Sequence, residues 1–153
     1  MYSDTVTVFN RSGTENKSFT WYPTVLTGVE LNIDKGANIQ KMGTDKADTA
    51  KLHIRYQKTP DNIIINEKVY LPPKEWSAQE DTLKSTTLTF SDGVDFFMSG
   101  EYLEQPIIDE EYVSGASLNG FFDHLNRTKD YVFKITNVGG PYKLIPHFEI
   151  GGD

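Results

Sequence analysis

The sequence predicts a mainly β fold: a small antiparallel β-barrel or sandwich of roughly eight strands, with one short amphipathic helix near residues 115–127. Three observations carry that prediction. Several segments alternate apolar and polar residues with a period of two, as strands with one buried face do. The intervals between them are short and rich in turn chemistry. A single stretch switches to the helical period.

The clearest strands come from the strictest alternation. Val29, Leu31 and Ile33 face one way while Glu30, Asn32 and Asp34 face the other. Leu52, Ile54 and Tyr56 alternate with Lys51, His53, Arg55 and Gln57, and Tyr131, Phe133 and Ile135 alternate with Val132, Lys134 and Thr136. Less regular patterns place further strands at Thr5 to Phe9, Ser18 to Tyr22, Glu67 to Leu71, Thr86 to Phe90, Asp95 to Met98 and Leu144 to Ile150. The stretches NRSGTENK, SDGVD and NVGGPY set Gly beside Asn, Ser or Asp, where positive φ and side-chain to backbone hydrogen bonds are cheap. Pro72-Pro73 ends a strand abruptly, because proline cannot donate to a ladder.

In SGASLNGFFDHLNRTKD, Leu118, Phe121, Phe122 and Leu125 fall at i, i+3, i+4 and i+7, which makes one apolar helical stripe. Ser114 or Ser117 is available as its N-cap, and Gly120 weakens it by up to about 1 kcal/mol. Residues 34–49, DKGANIQKMGTDKADT, hold no sustained period and are long for a connection within a domain, so a mobile, functional loop is expected there.

The 153 residues suit one domain with one packed core, and 37% hydrophobic with 12% aromatic residues is a globular composition. A net charge of −7, from 22 acidic against 15 basic residues, opposes unaided binding to a phosphate backbone. The absence of cysteine excludes disulfides, thiol nucleophiles and thiolate metal sites. The opening Met-Tyr-Ser-Asp-Thr-Val lacks a basic n-region and apolar h-region, and no stretch approaches the roughly 20 apolar residues of a membrane span, so we expect synthesis and retention in the cytoplasm.

No catalytic constellation emerges, and we expect neither enzyme activity nor a cofactor. His53 lies between Lys51 and Arg55, a cationic setting unfavourable to a metal ion. His124 adjoins Asp123, but neighbours at i, i+1 on a helix do not face each other. His147 and Glu149 share a strand face and could hold a cation, yet two ligands are too few for a metal site, so none is expected. Asp109, Glu110 and Glu111 are consecutive and diverge, which suits a solvated acidic edge better than a facing catalytic pair. Ser114-Gly-Ala-Ser117 near His124 is explained as well by a helix cap as by a nucleophile and base. Trp21, Tyr22 and Trp76 could form a stacking platform for a sugar or peptide, but core or interface packing is the better reading.

Three stretches, YLPPKEW at 70–76, SDGVDFFMSGE at 91–101 and the closing YKLIPHFEIGGD, resemble a group of small tailed-bacteriophage virion proteins. The resemblance is to minor capsid or neck proteins of the head-closure or adaptor type, among them a domain-of-unknown-function family of phages and prophages of Gram-positive bacteria. It rests on Pro72, Pro73 and Trp76, then Asp92-Gly93 and Gly100, then His147, Phe148, Glu149, Ile150, Gly151 and Gly152; the turn reads Asp-Gly where the group has Gly-Asp. It implies a structural subunit of a ring at the head-tail junction, with portal, neck or tail proteins and copies of itself as partners, in a virion assembled in the bacterial cytoplasm. No sequence-specific nucleic acid or membrane is implied as a partner. The assembly residues it suggests are Trp76, His147, Phe148 and Glu149, together with Asp34, Lys35, Met42 and Asp45 of the long loop. The rival reading is a carbohydrate- or peptide-binding β-sandwich module using Trp21, Tyr22 and Trp76.

In the last strand, Leu144, Pro146, Phe148 and Ile150 are expected to form an apolar face, with Lys143, Ile145, His147 and Glu149 opposite and the two glycines as the stop.

Overall fold

The computed structural model describes residues 2–13, 19–34, 48–115 and 118–153. In chain order its elements are β1 (Asp4–Ser12), β2 (Thr20–Asp34), β3 (Thr49–Arg55), β4 (Gln57–Lys58), β5 (Ile63–Ile65), β6 (Lys68–Tyr70), α1 (Pro73–Ser77), α2 (Asp81–Lys84), β7 (Thr87–Leu88), β8 (Phe96–Ser99), β9 (Ile107–Ile108), a 3-10 turn (Asp109–Tyr112), β10 (Val113–Ser114), β11 (Leu118–Asn119), α3 (Phe121–Thr128), β12 (Val132–Tyr142) and β13 (His147–Gly152).

Six of the strands form a closed antiparallel barrel in the order β1, β8, β12, β13, β3, β2, and β1 pairs with β2 to shut it. Closure removes the open edges on which other chains could template. The ninth strand, β9, adds to β2, and a small sheet runs β4, β5, β6, β7 with its last pair parallel. The predicted barrel-or-sandwich class thus resolves to a barrel.

Cross-strand partners show which face lies inside. Val8 opposes Phe97, which opposes Phe133; Ile150 opposes Leu52, which opposes Leu31; Phe148 opposes Ile54. These side chains, all but Leu31 buried, belong to one apolar cluster that fills the barrel. A second cluster of Phe9, Trp21, Phe96, Met98, Phe121, Leu125 and Val132 lies on the opposite strand face and packs under α3. That is why Phe96, Phe97 and Met98 form a continuous apolar run: both faces of β8 are covered.

Several expectations are corrected. The segments predicted as separate strands at 18–22 and 29–33 are parts of one bent strand, β2, while Ser18 lies outside the described residues. The bend falls at Gly28, with φ +67, where the β1 register shifts; a glycine accepts that left-handed backbone at little cost. The helix begins at Phe121, not near 115: Leu118 is in β11 and Ser114 in β10, while Ser117 lies outside the described residues. Its N-terminus is served from a distance. Asp109 accepts hydrogen bonds from the Phe121 N–H at 2.9 Å and from Trp21 Nε1 at 2.8 Å, so this carboxylate is an internal anchor, while Glu110 and Glu111 are exposed.

The two glycines near the C-terminus do not stop β13; they belong to it. A Cβ on Gly152 would lie 2.9 Å from Phe133 Cβ and 3.0 Å from Phe97 Cε2, both in the packed interior. A Cβ on Gly151 would meet only the far end of Asn137, at 2.6 Å from Oδ1. Gly152→Ala is therefore expected to cost about 1–3 kcal/mol and Gly151→Ala less than about 1 kcal/mol. Urea unfolding followed by circular dichroism checks the pair; equal losses would show that the close approach at Gly152 is not what selects glycine.

Candidate functional site

Because Leu52, Ile54, Phe148 and Ile150 point into the barrel, His53, His147 and Glu149 must point out of it. The β3–β13 register sets His53 directly across from Glu149 and Arg55 across from His147, and on its other side His53 faces Glu30 of β2. His53 Nδ1 lies 3.5 Å from Glu149 Oε2, and the His53 and His147 rings lie 6.3 Å apart between centroids. One ligand atom from each of His53, His147 and Glu149 falls within 4.8 Å of the other two. The expected cationic setting of His53 is corrected: carboxylates flank it on both neighbouring strands, and the Arg55 guanidinium lies over the Tyr2 ring at 3.9 Å.

Next to this cluster is the β12–β13 connection. Leu144 and Ile145 are 87% and 73% exposed, and Tyr142 is exposed beside them. Leu144 and Pro146 therefore leave the apolar face predicted for them, which reduces to Phe148 and Ile150. The tip is nevertheless held. Tyr56 donates its hydroxyl to the Tyr142 carbonyl at 2.8 Å, the Tyr142 ring lies 4.9 Å from that of His147, and His147 Nδ1 lies 2.7 Å from the Ile145 carbonyl. Ile145 has φ +61, a left-handed conformation that a β-branched residue adopts only at a cost of about 1–3 kcal/mol.

The other predicted assembly residues scatter. Phe148 is fully buried against Tyr70, Phe90 and Tyr56, so it is core and not contact surface. Trp76, 1% exposed, is likewise buried, edge-on to Tyr22 and with the Lys84 ammonium 5.5 Å from its ring. Asp34 is exposed at the end of β2, beside a broad depression that Asp153, Lys51 and Asn137 also line. Lys35, Met42 and Asp45, and most of the loop 34–49 expected to be mobile, lie outside the described residues. Trp21 and Tyr22 are buried with Trp76, which removes the exposed stacking platform of the rival reading. His124 packs against Tyr112 at 4.8 Å, on a different element from the other two histidines.

Sequence reasoning missed a buried polar centre. Asp95, 1% exposed, accepts hydrogen bonds from Asn10 Nδ2 and the N–H groups of Arg11 and Ser91 at 2.9 to 3.0 Å, and burial pushes its carboxyl up to about 7 against those three donors. It lines a cavity of about 190 Å³ with Arg11, Trp76 and Thr89. Arg11 Nε, Trp76 Nε1 and Thr89 Oγ1, buried atoms of three residues that line it, have no hydrogen-bond partner among the described residues. The signal available was the Asp in the turn SDGVD, which reads equally well as a turn residue.

Residues 1–153 match the family described as "Family of unknown function (DUF6751)". No curated protein and no solved structure matches the chain.

Proposed function

We propose a function from one premise: the chain belongs to the DUF6751 family, whose function is unknown. The reading we put forward is a non-enzymatic structural subunit of a phage or prophage particle, a minor capsid or head-tail connector protein that packs into a ring and sits in the virion. One observation carries it. The β12–β13 tip displays Leu144 and Ile145 to solvent, and Ile145 does so in a strained backbone conformation that asparagine or glycine would relieve. Two exposed aliphatic side chains on a pinned turn contribute little to this chain's own core. They suit contact with a neighbouring subunit, where burial would stabilise at roughly 25 cal/mol per Å². A closed barrel as rigid body and the net charge of −7 agree with a protein-binding role over a nucleic-acid one.

Native mass spectrometry of the chain with portal, connector and tail proteins encoded by neighbouring genes is expected to give a ring complex. Leu144→Asp with Ile145→Asn should weaken it at least about tenfold, the loss of roughly 1.4 kcal/mol. The same variant should melt at or slightly above the parent temperature, because Asn accepts the φ that Ile resists. No complex with any such protein, or a complex indifferent to the tip, would remove the proposal.

A further inference from the structure

We infer that His53, His147 and Glu149 form a binding site for one divalent first-row transition-metal ion, Zn²⁺ being the probe of choice, that clips β13 to β3 on the outside of the barrel. The inference concerns a single chain and stands apart from the assembly reading.

The donor set is chemically selective. Two imidazoles and one carboxylate suit Zn²⁺, Co²⁺ or Ni²⁺, whereas Mg²⁺ and Ca²⁺ call for oxygen ligands. The spacing is partly set already. Two donors on a tetrahedral ion at about 2.0–2.1 Å stand roughly 3.3–3.4 Å apart, and His53 Nδ1 and Glu149 Oε2 are 3.5 Å apart. One ligand atom from each of the three residues lies within 4.8 Å of those of the other two. The trio is thus within reach of one ion once side-chain rotation turns His147 Nε2 toward the other two donors.

His147 is also pre-oriented. The Ile145 carbonyl, 2.7 Å from Nδ1, can only accept, so Nδ1 is the donor and in the neutral ring the lone pair is on Nε2. A ligating histidine commonly has this outer-shell arrangement, with one ring nitrogen tied to a carbonyl and the other left for the metal. Glu30, across from His53 on β2, adds a second carboxylate to the field of the site, and all three ligands are half-buried on adjacent strands of a closed barrel. Three protein donors leave one position of a tetrahedral ion open to solvent or to a donor from a neighbouring molecule.

The test uses the untagged full chain. Calorimetric titration with Zn²⁺ is expected to give one ion per chain, with Mg²⁺ giving no heat above dilution. His53→Gln, His147→Gln and Glu149→Gln should each weaken binding at least about tenfold, since outer-shell changes alone cost about 10–100-fold; His124→Gln should leave it unchanged. Imidazole NMR spectra of the parent chain give a readout that needs no variant. On Zn²⁺ addition the His53 and His147 ring signals should shift together while His124 stays in place. Absence of one-to-one uptake, uptake undiminished in His53→Gln and His147→Gln, or ring shifts confined to His124 would each overturn the inference.

Discussion

Removing residues 148–153 is expected to abolish the folded state. The deleted segment is most of β13, which bridges β12 and β3 and so completes the barrel. Without it both neighbours lose a ladder, and the barrel opens along its length. The side-chain loss alone is large. Phe148 and Ile150 are fully buried, and Phe148 sits 4.7 Å from the Tyr70 ring and 5.1 Å from that of Phe90. Deleting such groups costs about 3–5 kcal/mol for Phe and about 2–5 for Ile, together comparable with the whole stability of about 5–15 kcal/mol of a small domain. Phe148→Ala gives the graded version, with an expected loss of about 3–5 kcal/mol. Circular dichroism and amide NMR dispersion decide the truncation, and urea unfolding decides the substitution. A truncated chain that kept dispersed amide signals would mean that β12 and β3 can close the barrel without β13.

The strands visible in the sequence were those with one face in the barrel and the other in water. Residues 29–34 and 51–55 are of that kind, because a one-sided environment imposes period two; residues 131–136 alternate as well, although Val132 is buried under α3. Where that contrast was missing, so was the signal. Strands β4, β9, β10 and β11 have two residues each, too few to establish any period. Their neighbour β5 forms a hairpin with β6 through Asn66-Glu67, both at positive φ, and Glu in a place that usually takes Gly concealed the turn. Conversely, the segments 18–22 and 29–34 were read as separate strands, although Pro23 between them pairs with Phe9 inside a ladder and Gly28 is a bend within one strand.

The candidate site was legible to the extent that it is local. His147 and Glu149 are two apart on one strand, so their common outward face follows from period two. That His53 joins them depends on β3 pairing with β13 in one register, which is a property of barrel closure and leaves no mark on either segment. Charge reading along the chain then misled: Lys51 and Arg55 are its sequence neighbours, while Glu30 and Glu149 are its neighbours across the sheet. For the aromatics the choice left open was between core and interface. Core or interface packing was the better reading of Trp76, and α1 carries it into the interior, which leaves it no part in a contact surface.

Asp95→Ala is expected to cost about 3–5 kcal/mol near pH 4, since it strands three buried or part-buried N–H donors that had one shared acceptor. Asp95→Asn separates charge from shape. Its amide oxygen can take the place of Oδ2, which accepts from Asn10 Nδ2 and the Ser91 N–H, but its NH₂ then confronts the Arg11 N–H that Oδ1 accepts. A protonated carboxyl avoids this clash, because the hydroxyl oxygen still accepts while its proton turns aside. The variant should therefore be about 1–3 kcal/mol less stable than the parent near pH 4. Burial holds the folded carboxyl near 7, above the ordinary 3.8, so between those values the folded chain binds a proton that the unfolded chain has released. Stability from this group is thus fully present below pH 4 and is lost as pH rises through about 7, by up to roughly 4 kcal/mol. Asn does not titrate, so the gap between parent and variant should narrow across that window and close or reverse near pH 8. Urea unfolding of both proteins from pH 4 to 8 measures the gap directly. If it widened with pH instead, the three donors would outweigh burial and Asp95 would be a carboxylate throughout, making the centre a fixed charge in the barrel wall.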